Sequence, residues 1–354
     1  MYHLLLSLIP NVKRTSDRTG QTSRWSSIAG LIVIAIVFFT SACATIAPVP
    51  LPTPTAPHGS SRNAPASEAP VMVVATITIL ADLTRSVGGD LVQVTTIVPP
   101  GADEHSFQTT PLDSVAISQA KVIVSNGFGL DGFLQPLLES SMPGSAVHVV
   151  AAEGLEAQHF NEAESLADAP EDEHERAAGN PHFWQDPILT IHYVERIRNG
   201  LTQADPANSE VYAANAQAYI QQLRELDQEI ARLLEQVPPE RRHLVTFHDA
   251  FGYFAARYGW KASAFAPSDA SEVTPGAIVS VMRQIRNEGI PAVFAEPQFS
   301  SGVLEGAAQD AGIRVGTIRS LPDDEAPTYI DMMRSNTKTL MEHLADEGRK
   351  TEDG

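Results

Sequence analysis

Cysteine is nearly absent from this chain of 354 residues, since Cys43 is the only one. A single cysteine excludes a disulfide framework within one chain and any zinc site built from several thiolates. Basic residues are also scarce, with 24 Lys and Arg against 43 Asp and Glu and a net charge of −19. Because phosphate binding requires clustered Lys and Arg, this balance argues against a nucleic-acid partner. A P-loop and a His-Glu-x-x-His hydrolase motif are missing as well.

The longest apolar run lies near the N-terminus. Ile28–Phe39 follows a basic stretch and is too short to span a bilayer comfortably, a pattern typical of an export signal. We therefore expect residues 1–42 to be an export signal, with a signal anchor as the alternative. Thr40-Ser41-Ala42-Cys43 resembles a bacterial lipobox, although Thr40 stands at an aliphatic position. The protein is thus expected outside the cytoplasm, either anchored through lipid on Cys43 or simply cleaved and periplasmic.

The remaining chain changes character at Val71. Residues 43–70 are rich in Pro, Ala and Ser and are expected to form a disordered tether. From Val71 onward, β-branched runs alternate with helical patterns, which predicts an α/β fold with a mainly parallel sheet covered by helices. The pattern at residues 205–238 predicts one amphipathic helix about 48 Å long. Such a helix could run along two lobes or pack within a single domain. The acidic insertion 161–178 is expected to be a disordered polar loop.

Three histidines stand in distinctive local sequences, within Gly101–Phe107, Asn180–Pro187 and Thr246–Phe254. Each follows an apolar or Pro/Gly stretch of the kind that ends at a strand edge, where open α/β sheets bind their ligands. Imidazoles gathered from separate segments suit a tetrahedral transition-metal ion, and Zn²⁺ favours nitrogen ligands. His105, His182 and His248 are therefore the predicted metal ligands.

These three contexts, followed by Phe294-Ala295-Glu296-Pro297-Gln298-Phe299, resemble the metal-binding receptors of bacterial zinc and manganese ABC importers. The resemblance to the periplasmic zinc-binding type runs from about Val71 to Leu344. It implies two metal-binding lobes, residues 71–204 and 239–348, each a mainly parallel sheet with flanking helices. The helix of residues 205–238 would join them as a rigid backbone. It also implies a monomeric binding protein, not an enzyme, that delivers metal to a separate membrane permease driven by an ATPase.

The fourth metal ligand is left open by the sequence. The family commonly has an Asp after the last strand, where this chain has Arg319, unless the alignment shifts to Asp323 or Asp324. The fourth ligand is then Glu104, a water or nothing. Because a guanidinium cannot ligate a metal, we expect Arg319 to point away or to pair with a carboxylate such as Glu104 or Glu296.

Residues that orient ligand histidines are the next candidates, because metal sites usually need such partners. Glu296 follows a predicted strand and could hold a ligand ring. Asp186 and Asp249 are further candidates, although Asp249 fits a helix start equally well.

The predicted cargo is Zn²⁺ rather than Mn²⁺, because imidazole suits zinc whereas carboxylate and water suit manganese. Two alternatives remain. Three histidines with an open position and a nearby Glu also describe a zinc hydrolase or hydratase. A metal-binding adhesin of the same fold is the other.

Overall fold

A computed structural model of the protein describes residues 69–158, 160, 179–267, 273–300 and 302–345. The predicted export signal, Cys43, the tether up to residue 68 and the acidic insertion 161–178 lie outside the described residues. Within the described part, no helix combines the length and the apolar character needed to cross a membrane.

The first lobe is built on a sheet of four parallel strands: β1 (Val71–Ala75), β2 (Val92–Thr96), β3 (Val122–Ser125) and β4 (Val147–Val150). Their order is β2-β1-β3-β4, so β1 pairs with β2 on one side and with β3 on the other. The β3 side chains are all buried, as expected for a β-branched strand inside a covered parallel sheet. The helices of this half are α1 (Thr78–Gly88), α2 (Pro111–Gln119), α3 (Gln135–Ser141) and α4 (Pro187–Ala204).

A long helix, α5 (Ser209–Leu234), connects the two lobes and packs along α1 and α4. Its 26 residues give a length of about 39 Å, shorter than the helix predicted for residues 205–238. Pro206–Asn208 instead forms a 3₁₀ turn, and the Asp205 carboxylate accepts hydrogen bonds from Asn208 and Tyr212. The predicted helix start was therefore wrong, because Asp205 holds the preceding turn rather than capping the α-helix.

The second lobe repeats the α/β pattern with four further parallel strands: β5 (His243–His248), β6 (Lys261–Ala266), β7 (Ala292–Ala295) and β8 (Arg314–Thr317). Their order is β6-β5-β7-β8, which puts β5 and β7 side by side at the centre. The helices are α6 (Gly252–Tyr258), α7 (Pro275–Glu288), α8 (Gly302–Ala311) and α9 (Tyr329–Leu344). The fold prediction of two parallel-sheet lobes with flanking helices is confirmed.

The two lobes share one continuous apolar core, to which both sheets and α5 contribute buried side chains. Polar contacts also cross between them. The Ser320 carbonyl, beyond β8, accepts hydrogen bonds from Trp184 Nε1 at 2.7 Å and from Gln185 Nε2 at 2.9 Å. The Tyr329 hydroxyl donates to the Trp184 carbonyl at 2.8 Å. The segment that carries His182 is therefore held by both lobes.

Candidate metal centre

The predicted ligands come from both lobes. Glu104 and His105 lie in the loop after β2, where the Asp103 carboxylate accepts from the His105 backbone N–H at 3.0 Å and shapes the turn. His182 precedes the 3₁₀ turn Phe183–Gln185, and His248 is the last residue of β5. Open α/β sheets bind their ligands beyond the carboxyl ends of their parallel strands.

Four donor side chains converge at one point. Glu104, His105, His182 and His248 each offer one ligand atom, and these atoms all lie within 4.8 Å of one another. The His182 and His248 Nε2 atoms are 3.4 Å apart, and His105 Nε2 is 4.0 Å from Glu104 Oε1. Glu104, His182 and His248 are fully buried, and the His105 side chain is 8% exposed. The structure therefore brings together the three predicted histidines and the Glu104 carboxylate.

Two of the rings are fixed from behind through Nδ1. His248 Nδ1 lies 2.9 Å from Glu296 Oε1 and 2.8 Å from Oε2, and the His248 backbone N–H also donates to Oε1. His182 Nδ1 donates to Asn180 Oδ1 at 2.9 Å, and the His182 backbone N–H donates to the same oxygen at 3.0 Å. With Nδ1 engaged, the lone pair of each neutral ring lies on Nε2, toward the other donors.

The role of Asn180 is missing from the sequence prediction, which assigned an orienting contact to Glu296 and Asp186. The signal available was its place two residues before His182, since short Asn side chains commonly bond to backbone N–H groups just ahead of them. Asp186 does something else. Its Oδ1 accepts from the Ile188 backbone N–H at 2.7 Å, so it caps the N-terminus of α4 instead of holding a histidine.

Burial and mutual proximity set the protonation of the group. Burial raises the pKa of Glu104 to about 7, because no solvent stabilises its charge. Burial and the neighbouring His248 lower the pKa of His105 to about 3, and the same causes lower that of His182. Burial also acts to lower the pKa of His248, but the Glu296 carboxylate outweighs it and leaves the pKa raised.

These donors fit a divalent cation. Among the described residues, neither Glu104 oxygen accepts a hydrogen bond from another side chain, and His105 Nε2 has no hydrogen-bond partner. A buried carboxylate and buried imidazole nitrogens that face one another are normally satisfied by hydrogen bonds or by a metal. Three nitrogens and one oxygen also form a donor set that suits a tetrahedral ion.

Arg319 follows β8 and is 7% exposed. Its Nε donates to Asp323 Oδ2 at 2.6 Å, and its Nη2 pairs with Glu325. The ion pair expected from the sequence is present, but with these two carboxylates instead of Glu104 or Glu296. Arg319 and Glu296 line one cleft of about 840 Å³.

Comparison with known proteins places this geometry in a family. The family described as periplasmic zinc-uptake complex component A, ZnuA, matches residues 73–343. The manganese-binding lipoprotein MntA of Halalkalibacterium halodurans is 32% identical over 279 residues, 77% of this chain and 88% of that protein. The iron-binding protein YfeA of Yersinia pestis is 32% identical over 274 residues, 76% of this chain and 84% of that protein.

A solved structure of a periplasmic metal binding protein from Candidatus Liberibacter asiaticus has 25% sequence identity and a TM-score of 0.68. It covers 77% of this chain and 99% of its own. The resemblance found in the histidine contexts is thereby confirmed at the level of family and fold. The chain belongs to the ZnuA family of periplasmic metal-binding receptors of ABC importers.

Proposed function

We propose that this protein is the extracytoplasmic receptor that captures Zn²⁺ and delivers it to the membrane permease of an ABC importer. The observation that carries the proposal is the convergence of Glu104, His105, His182 and His248, whose ligand atoms lie within 4.8 Å of one another. In this proposal the three histidines and Glu104 are the ligands of the transported ion. Glu296 and Asn180 hold two of the rings in place.

The donor chemistry supports zinc over manganese. MntA is named for manganese and YfeA for iron, so membership of the family does not by itself select the metal. Three imidazoles and one carboxylate favour Zn²⁺, whereas Mn²⁺ prefers more oxygen ligands and higher coordination. The pairing of Arg319 with Asp323 and Glu325 supports the same choice, because it engages two of the three carboxylates in the loop beyond β8.

Transport accounts for the arrangement better than catalysis. Catalytic zinc sites keep a coordination position open for water, whereas four protein donors fill a tetrahedral ion. The donors belong to two lobes, with His248 at the end of β5 and Glu104 and His105 after β2. A relative movement of the lobes would separate the donors and release the ion to the permease. In this proposal lipid on Cys43 anchors the receptor, in keeping with the lipoprotein names of relatives such as MntA.

Metal competition tests the proposal directly. The purified protein, stripped of metal and titrated with Zn²⁺ and Mn²⁺ against a chelator of known affinity, should bind one equivalent and prefer zinc. A tighter constant for manganese would contradict the choice of cargo. A deletion strain that expresses the protein should also recover growth in medium that contains a chelator. If the protein binds zinc but does not restore growth, the transport role is contradicted and an adhesin is favoured.

A further inference from the structure

The Asn180 side chain contacts both lobes at the metal centre. Its Oδ1 accepts from the backbone N–H and Nδ1 of His182, at 3.0 and 2.9 Å. Its Nδ2 donates to the Asp249 carbonyl at 2.7 Å. Asp249 directly follows His248 at the end of β5, so the amide joins the segments that carry two facing rings.

The two ends of this link belong to different lobes. The segment of Asn180 is tied to the first lobe by Asn126 Nδ2, which donates to the Pro181 carbonyl at 3.1 Å. Asp249 is tied to the second sheet, because its backbone N–H donates to the Ala266 carbonyl at 3.1 Å. Asn180 is 5% exposed, and both its Oδ1 and its Nδ2 are hydrogen-bonded, so the side chain has little freedom to rearrange.

We propose that Asn180 is a positioning residue that sets the spacing between His182 and His248 across the two lobes. The inference rests on the proposed function, in that both rings bind the transported metal. One amide fixes the His182 ring and, through the Asp249 carbonyl, fixes the turn beside His248. The 3.4 Å separation of the two Nε2 atoms then depends on this single side chain as well as on the packing of the lobes.

Comparison with Glu296 separates this role from ordinary ring orientation. Glu296 follows β7, the neighbour of β5 in the same sheet, so its contact with His248 stays within the second lobe. Glu296 orients one ring, whereas Asn180 orients one ring and also links it to the segment of the other. Loss of the link should accelerate metal release, because the lobes can then separate without first breaking the bond between the Asn180 amide and the Asp249 carbonyl.

The substitution Asn180→Asp removes the link to Asp249 while keeping the oxygen that faces His182. Aspartate keeps an oxygen that accepts from His182 but loses the N–H that donates to the Asp249 carbonyl. If Asn180 only oriented the ring, the added negative charge would hold a cation as tightly or more tightly. We instead expect zinc dissociation to become about tenfold faster, the factor given by loss of one buried hydrogen bond. Asn180→Ala, which loses both contacts, should be faster still.

Tyr253→Phe is the matched control. The Tyr253 hydroxyl, from α6 in the second lobe, donates to the Asn180 carbonyl at 2.8 Å without touching the His182 ring or side-chain amide. Its loss removes another link between the lobes at the same residue. It should lower the melting temperature of the metal-free protein yet change zinc dissociation by less than about threefold.

The measurement is stopped-flow transfer of zinc from the full-length protein to a chelator, with Co²⁺ absorption as a separate report on tetrahedral geometry. Dissociation from Asn180→Asp that is equal to or slower than wild type overturns the inference, as does an equal acceleration by Tyr253→Phe. If Asn180→Asp does not fold, Asn180→Ser loses the same link and must show the acceleration. A wild-type protein that does not retain zinc would contradict the proposed function instead.

Discussion

His182 and His248 are supported by chemically different partners, although both rings are fully buried and face each other at 3.4 Å. The His248 Nδ1 contacts the Glu296 carboxylate, whereas the His182 Nδ1 donates to the neutral Asn180 amide. Burial lowers the pKa of both rings, but the Glu296 carboxylate opposes it and leaves the pKa of His248 raised, whereas that of His182 is lowered by burial and by the neighbouring His248 and His105. The carboxylate behind His248 is therefore one source of the difference between the two rings, because the neutral Asn180 amide supplies no charge to oppose burial at His182.

This difference describes the centre before the metal binds. The raised pKa favours a protonated His248 ring and the lowered pKa favours a neutral His182 ring, so a proton on His248 Nε2 would point to the His182 Nε2 lone pair at 3.4 Å. A cation that binds here must displace that proton, and the Glu296 carboxylate then remains to balance the added charge. The Glu296 carboxylate behind His248 thus favours positive charge, whereas the Asn180 amide behind His182 fixes the geometry of its ring.

Removal of either ring should have the largest effect. His248→Ala and His182→Ala are each expected to weaken zinc binding by more than about 100-fold, because loss of an orienting partner alone weakens binding by about 10–100-fold. Titration against a chelator measures the constants, and circular dichroism checks that the fold persists. Near-native affinity in either variant would remove that residue from the ligand set.

Glu296→Gln should make the two supports alike, since both rings would then donate to an amide oxygen. We expect zinc affinity to fall by about 10–100-fold and the pKa of His248 to decrease, because the balancing charge is lost. Calorimetry gives the affinity, and NMR titration of the His248 ring in metal-free protein gives the pKa. A raised pKa that survives the substitution would mean that another group sets the charge of His248.

Acid should weaken zinc binding by protonating His248 and Glu104. In the proposed site, zinc would require His248 without its Nε2 proton and Glu104 ionised; the pKa of His248 is raised, and that of Glu104 is about 7. Protons therefore compete as the pH falls through about 7. His105, with a pKa of about 3, and His182, with a lowered pKa, stay neutral in this range.

The affinity should accordingly fall by about tenfold per pH unit for each proton displaced. The zinc-dependent rise in melting temperature should be large at pH 8 and nearly absent at pH 5. Calorimetry in buffers of different ionisation enthalpy counts the protons released at pH 6. A shift in melting temperature that persists undiminished at pH 4.5 would argue against ligation by His248 and Glu104.

Much of the fold follows from local sequence patterns. The sequence marks the bounds of α2 and α9 with strong capping signals, such as the Thr110–Asp113 capping box and the Thr328 cap. By contrast, β4, β6 and α4 were not predicted. The β6 sequence, Lys-Ala-Ser-Ala-Phe-Ala, is small and partly polar, and only its pairing beside β5 makes it a strand.

The site residues also fall into two groups, those that the local sequence indicates and those that depend on the folded structure. The three histidines stand in distinctive contexts, and Glu104 and Glu296 were found from their neighbours. The Asn180 contacts depend on a turn that no periodic pattern encodes, and the ion pairs of Arg319 depend on the path of residues 319–325. The limits of the two lobes, 71–204 and 239–348, stay predictions, whereas the helix predicted over 205–238 spans Ser209–Leu234.

The smallest effect is expected at Arg319, whose guanidinium lines the same cleft as the Glu296 carboxylate. Arg319→Asp removes the guanidinium and places a carboxylate in the cleft that Glu296 lines, while Asp323 and Glu325 lose their partner. Cation affinity should rise by about tenfold at most, because charges across a solvated cleft are screened. The gain should be larger for Mn²⁺ than for Zn²⁺, since manganese favours oxygen ligands. The metal-free protein should melt at a lower temperature, because three carboxylates then repel one another.

Arg319→Gln is the control that separates charge from ligation, since it removes the cation without adding a carboxylate. Both metals should gain equally in this variant, and manganese should gain further only in Arg319→Asp. Competition titrations of Zn²⁺ and Mn²⁺ on the three proteins give the ratio of manganese affinity to zinc affinity. If this ratio is the same in the Arg319→Asp and Arg319→Gln variants, Arg319 acts only through its positive charge, and the ligand set is complete without the loop after β8. A higher manganese ratio in the Asp variant alone would mean that the guanidinium keeps an oxygen ligand out of the centre.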